Sequence, residues 1–115
     1  MSLLSRLLFL LVICLPLGAT TVADRLIHGL EKVENCVRWN NPGCLKYAKQ
    51  LGAKKNRRGY AVFVDPYFGY LALRKQVLRR KGRKVGPFLD DYNRGIPGYT
   101  EKVLAASGLK YSDRI

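Results

Sequence analysis

The sequence predicts a small domain of the mainly α (α+β) class, about four helices with one short β-strand or hairpin. Three observations carry that expectation. Several stretches place apolar residues at helical steps of three and four, most clearly Leu26, Leu30, Val33 and Val37. One short run, Tyr60 to Val64, is instead rich in aromatic and β-branched residues. Helix punctuation recurs along the chain, with Asp65-Pro66 as a start and Gly82 and Gly108 as stops.

Taken in order, the first helix is expected from Asp24 to Trp39, with Asp24 as N-cap or first-turn acid. Asn40-Asn41-Pro42-Gly43 ends it in a turn. Lys54 to Arg58 reads as a basic loop closing at Gly59, and Tyr60 to Val64 as the strand. In the next helix Pro66 takes the first helical position behind the Asp65 cap. Tyr67, Tyr70, Leu71, Val77 and Leu78 lie on its one broad face, and Gly82 is its expected C-cap. A third short helix begins near Pro87 and presents Phe88, Leu89 and Tyr92. The fourth runs from Tyr99 to Ser107 with Val103 and Leu104 inward, and Gly108 stops it. No repeat or linker divides the chain into domains.

The start of the chain reads differently. Arg6 precedes an apolar run from Leu7 to Leu17 that Pro16 and Gly18 break, followed by small residues suited to cleavage after Ala19 or Ala23. That is the pattern of a secretory signal, and the run is short of the roughly 20 residues a spanning helix needs. A cut after Ala23 leaves a c-region of ordinary length, so the expectation is a signal peptide at 1–23 and one domain at 24–115. Cys14 lies inside the apolar run, but the bulky Ile13 before it argues against a lipidation site. The exported product is expected in the periplasm or outside the cell. In that oxidising setting the remaining pair, Cys36 and Cys44, reads as a disulfide. Two cysteines and the single His28 are too few ligands for a metal site, and no cofactor is expected.

Charge narrows the partners. The 115 residues carry 21 Lys and Arg against 8 acids, a formal net charge of +13, and Arg6 is the leader's only base. So large an excess of one sign points to an anionic partner. For an exported chain the candidates are peptidoglycan or another anionic cell-envelope polymer, and a membrane surface. Nucleic acid is the poorer partner, because a secreted chain rarely meets it. Arg74, Lys75, Arg79, Arg80, Lys81, Arg83 and Lys84 form the densest cationic stretch and the expected anion-binding face.

The acids are few enough to judge singly. Asp24, Asp65 and Glu101 sit where helix starts favour negative charge, Asp90 and Asp91 lie on a short helix, and Asp113 is in the tail. Glu31 and Glu34 remain. With Leu26 as origin and about 100° per residue, Glu34 falls at about 80°, between the apolar stripe and Ile27. Glu31 falls at about 140°, further toward solvent. A carboxyl at an apolar edge is the type that serves as a general acid, which makes Glu34 the first candidate and Glu31 the second. The plainer alternative is a solvated glutamate paired with a neighbouring base.

From Asn40 to Gln50, Asn-Asn-Pro-Gly-Cys-Leu-Lys-Tyr-Ala-Lys-Gln, the sequence resembles a family of small phage and bacterial proteins whose core reads "NNPGNLRYAGQ", often labelled phage structural-protein-like. The likeness continues through Gly59-Tyr60-Ala61-Val62-Phe63, the family's "GFAVF". It extends over Asp65-Pro66 and Gly69 to Leu73, and more weakly over Val85 to Tyr92 and Tyr99 to Leu109. Cys44 stands where the family has Asn, Lys49 where it has Gly, and the longer loop of many relatives between the glutamate and the NPG block is missing.

Family members carry a glutamate on the helix before the NPG block, and Glu34 looks like that residue. The general plan is similar to lysozyme-like and lytic transglycosylase wall-active domains. The resemblance therefore implies a small lysozyme-like helical domain in which one glutamate protonates a glycosidic oxygen and later acts as base. It also implies that Asn40, Asn41, Tyr47 and Gln50 line the sugar site. No second carboxylate is obvious, which argues against a two-carboxylate mechanism. The competing expectation is a non-enzymatic, phage-derived binding module whose basic stretch grips wall polymers, a membrane surface or nucleic acid. A cationic toxin acting on membranes is a lesser reading, since the apolar face it would need belongs to the core.

Overall fold

The computed structural model describes residues 20–115. The predicted leader up to Ala19, with Cys14, lies outside the described residues. Among them are four α-helices and one two-stranded antiparallel sheet, as the mainly α reading expects.

Helix α1 spans Val22–Glu34, so it starts two residues ahead of the expected boundary at Asp24. Its N-cap is Thr21, whose Oγ1 accepts from the Asp24 N–H at 3.1 Å while the Asp24 carboxylate accepts from the Thr21 N–H at 3.3 Å. This reciprocal capping satisfies two amide donors left over at the helix start. Ala23 is already part of the core.

At its other end α1 stops five residues before the predicted Trp39. Asn35 takes the left-handed conformation (φ 47°) and its N–H caps the Glu31 carbonyl. The chain then enters a short 3-10 turn at Val37–Trp39 and is tied by the Cys36–Cys44 disulfide, with the two Cα atoms 5.3 Å apart. Val37, expected on the apolar stripe, is 69% exposed as a result.

The sheet pairs β1 (Ala53–Lys55) with β2 (Ala61–Phe63) in the register Ala53↔Phe63 and Lys55↔Ala61. Lys54 and Lys55, read from sequence as loop, are therefore strand, since pairing to β2 supplies the backbone partners their own composition does not advertise. Asn56 shapes the turn by accepting from the Arg58 and Tyr60 N–H groups through Oδ1.

Helix α2 spans Pro66–Leu78 behind its Asp65 cap, as predicted. It ends at Arg79 rather than at Gly82, which lies further on in a turn at φ 90° and donates its N–H to the Ile115 carbonyl. Val77 is buried and Tyr70 packs against the core as expected, but Gly69 and Leu73 complete the inward face, whereas Tyr67, Leu71 and Leu78 remain exposed. The reason is Gly69, where any side chain would collide with the Asn40 carbonyl and Pro42, so this face must press against the NPG loop.

Helices α3 (Val85–Tyr92) and α4 (Tyr99–Ser107) match the reading, with Gly108 capping α4 at φ 70°. Helices α1 and α4 pack closely because Gly29 offers no side chain; a Cβ there would lie 2.8 Å from that of Ser107. Leu26, Leu30, Leu73, Val77, Val85, Phe88, Leu89 and Val103 fill the space between the four helices.

Candidate functional site

Glu34 is the last residue of α1, and the left-handed Asn35 turns the backbone away directly behind it. Its side chain points toward the start of α4 and the end of α3. The Tyr99 hydroxyl donates to Glu34 Oε1 at 2.6 Å, and Asn93 Nδ2 donates to the same oxygen at 3.4 Å. Glu34 Oε2 has no hydrogen-bond partner among the described residues. The carboxylate is thus oriented through Oε1.

The donors are well held. Tyr99 is buried and stacks in parallel on Tyr92, ring centroids 6.3 Å apart. Tyr92 in turn packs on Phe88 and donates its hydroxyl to the Gly43 carbonyl at 2.8 Å. Burial, and then the charge of Glu34, push the Tyr92 hydroxyl well above the usual phenol range. The Tyr99 hydroxyl is pushed up as well, by burial first and then by its hydrogen bond to Glu34. Both remain neutral donors throughout the physiological range.

Glu34 lies on the wall of a cleft of 820 Å³, a volume in the range of small-molecule and oligomer sites. Residues 44–46 and 48–51, the outer side of α2 and the end of α3 form its walls. Four cations line it, Lys46, Lys49, Lys75 and Arg79, together with the aromatic rings of Tyr60, Phe68 and Tyr92. The acids on the wall are Glu34 and Asp91. Asp91 pairs with Arg94 at 3.1 Å and Arg83 at 3.6 Å, both in water-exposed geometry where such pairs contribute little.

Of the residues singled out from sequence, Glu34, Gln50, Lys75 and Arg79 meet at this cleft. Glu31, the second choice, sits one turn back and is not on its wall. Asn41 is fully buried and spent on structure: Nδ2 donates to the Leu45 and Ala61 carbonyls, each at 2.9 Å, and Oδ1 accepts from the Leu45 N–H at 2.9 Å. It has no surface to offer a sugar. Asn40 likewise donates to the Phe63 carbonyl at 3.0 Å, and Tyr47 is bonded through its backbone to Gly59 away from the cleft wall. Gln50 reaches the cleft while bracing its own loop, accepting from the Ala48 N–H and donating to the Lys46 carbonyl.

The expected basic helix from Arg74 to Lys84 is two regions. Arg74 is held by Asp24 at 3.2 Å, and Lys75 and Arg79 face the cleft. Arg80, Lys81, Arg83 and Lys84 belong to the turn between α2 and α3, because the helix has already ended at Leu78. The Cys36–Cys44 bridge is present as read, and it joins the segment after Glu34 to the floor of the cleft at Cys44. Among the described residues no three metal-ligating side chains come together.

Sequence reasoning missed Tyr99, Asn93 and Asp91. Tyr99 carries only the signal of a helix start, and its contact with Glu34 spans 65 residues of chain. Comparison with protein-family models, curated proteins and solved structures returns no match to this chain.

Proposed function

We propose that the chain is an exported cationic domain that acts on the glycan strands of peptidoglycan, with Glu34 as general acid and base. The observation that carries this reading is the Glu34 carboxylate on the cleft wall, fixed through Oε1 by the Tyr99 hydroxyl. In the proposed reaction the Oε2 proton goes to the glycosidic oxygen as the bond from that oxygen to C1 breaks. The same carboxylate then takes the proton of the attacking hydroxyl, either water or a hydroxyl of the sugar itself. Tyr60 and Phe68 on the cleft wall suit the apolar faces of sugar rings, and Lys46, Lys49, Lys75 and Arg79 suit the carboxylates of the wall.

Two left-handed backbone positions add support to the resemblance behind this reading. Cys44 (φ 47°) and Lys49 (φ 60°) are where the family has Asn and Gly. Those are the residues that enter this conformation at least cost.

The test is turbidity loss and released muropeptides from purified peptidoglycan, comparing the parent with Glu34→Gln. Cleavage by the parent, reduced at least about 10²-fold in the variant with folding retained, is the expected result. Anhydro-sugar ends would identify a lytic transglycosylase, reducing ends a hydrolase. An active Glu34→Gln sinks the role of this residue.

The four cleft cations favour one further reading, a non-enzymatic module that holds anionic wall polymers. That reading expects sedimentation with the wall that weakens steeply with salt and is indifferent to Glu34→Gln.

A further inference from the structure

The outward face of α2 is not spent on the core. Tyr67, Leu71 and Leu78 are 64%, 37% and 38% exposed, on the side opposite Leu73 and Val77. Their spacing puts all three within about 40° of one another around the helix axis, along about 16 Å of its length. A surface helix ordinarily carries charged or polar groups along such a line. Beside this stripe is a shallow depression of 500 Å³ lined by Leu71, Arg74, Lys75, Leu78 and Arg79. Its floor is leucine and its rim is cationic. Arg74 is partly neutralised by Asp24, whereas Lys75 and Arg79 have no ion pair among the described residues.

Two apolar side chains framed by three long cations select their occupant by charge and hydrophobicity together. A polyanion such as a nucleic acid would engage the cations and leave Tyr67, Leu71 and Leu78 in water. A neutral apolar partner would cover the leucines and strip water from Lys75 and Arg79 without replacing it. An anionic lipid surface satisfies both sets. Its phosphates meet the ammonium and guanidinium groups, and the apolar stripe enters the boundary between headgroups and acyl chains.

We propose that the outer face of α2 docks the domain on an anionic lipid surface, with Tyr67, Leu71 and Leu78 as the inserting residues and Lys75 and Arg79 as the phosphate contacts. The mode is lying on the membrane: no described helix is long and apolar enough to cross one. The formal charge of +13 draws the whole chain toward such a surface before any specific contact forms. Leu71, Lys75 and Arg79 also line the Glu34 cleft, whereas Tyr67 and Leu78 lie off its wall and separate docking from any chemistry at Glu34.

Co-sedimentation of residues 20–115, with folding first verified by circular dichroism, tests it, comparing vesicles of phosphatidylglycerol mixed equally with phosphatidylcholine against phosphatidylcholine alone. Binding to the anionic vesicles is expected to be at least about tenfold tighter than to the neutral ones. Tyr67→Ser/Leu78→Asn, two exposed positions off the cleft wall, is expected to weaken vesicle binding about tenfold or more while elution from a cation-exchange resin stays unchanged. Lys75→Gln/Arg79→Gln is expected to weaken binding and to flatten its salt dependence. Tyr67→Ser alone serves if the double variant unfolds. The proposal is overturned by absence of binding to anionic vesicles. It is equally overturned by unchanged vesicle binding of the Tyr67 and Leu78 variants, or by preferential retention on duplex DNA that those variants do not alter. Glu34→Gln is expected to dock like the parent, so loss of glycan cleavage and loss of docking are separate results.

Discussion

The two halves of this domain are held by different physics. The four helices meet through fully buried aliphatic side chains, Leu26, Leu30, Leu73, Val77, Val85, Leu89 and Val103 among them. Residues 35–64 have far less apolar filling, chiefly Ala61 and Phe63, and are organised by the disulfide, the short hairpin and the amides of Asn40 and Asn41. Among the described residues, the four left-handed ones other than glycine, Asn35, Asn40, Cys44 and Lys49, fall in this second half. Backbone strain is therefore collected where polar bonds and a covalent link can hold it, next to Glu34, while the helical half stays regular. A rigid scaffold that positions an irregular, polar segment is the usual division between stability and function.

The sharpest way to break the helical half is Leu30→Ala, which opens a cavity at a fully buried position and is expected to cost about 2–5 kcal/mol. Urea unfolding should show the loss in the global transition. In the polar half the largest effect is expected from Asn41→Leu, which leaves the Leu45 N–H and the Leu45 and Ala61 carbonyls without their partner. A loss of about 2–4 kcal/mol is expected, and hydrogen exchange should place its first effect in residues 41–63. Reducing the Cys36–Cys44 bridge should cost roughly 2–3 kcal/mol in the loop-entropy account. Its signature is selective loosening of residues 35–50 with the helices still protected. The smallest effect runs the other way. Lys49→Gly relieves a left-handed residue at φ 60° and is expected to stabilise by about 0.5–1 kcal/mol, read as a higher urea midpoint. A loss there would show that the Lys49 side chain contributes more than its backbone costs.

What was legible in the sequence follows the same division. The third and fourth helices, the Asp65-Pro66 start and the disulfide are written in local patterns, and each stands where it was read. The position of Glu34 at the edge of the apolar stripe was legible too, because it is a matter of helical geometry alone. The end of α1 was not. The apolar spacing runs on through Val37, while Asn35 and the pull of Cys36 toward Cys44 decide otherwise. The roles of Asn40 and Asn41 were misread for a related reason. A polar loop block looks like a ligand surface until the fold brings the Leu45, Ala61 and Phe63 carbonyls to it. The site partners Tyr99 and Asn93 lie beyond local reading, since only the packing of α3 and α4 on α1 carries them to Glu34.

Thr21 and Asp24 bond one another across the first turn of α1, and Ala23 between them is buried. Processing and folding would therefore draw on the same few residues. A peptidase that cuts after Ala19 would release a chain able to nucleate its first helix with the cap in hand. One that cuts after Ala23 would remove a core side chain and leave the helix frayed, a loss of about 1 kcal/mol from the cap alone. Under the proposed export, the choice of scissile bond would set how complete the first helix is, and the mass of the N-terminal peptide would report which bond was cut.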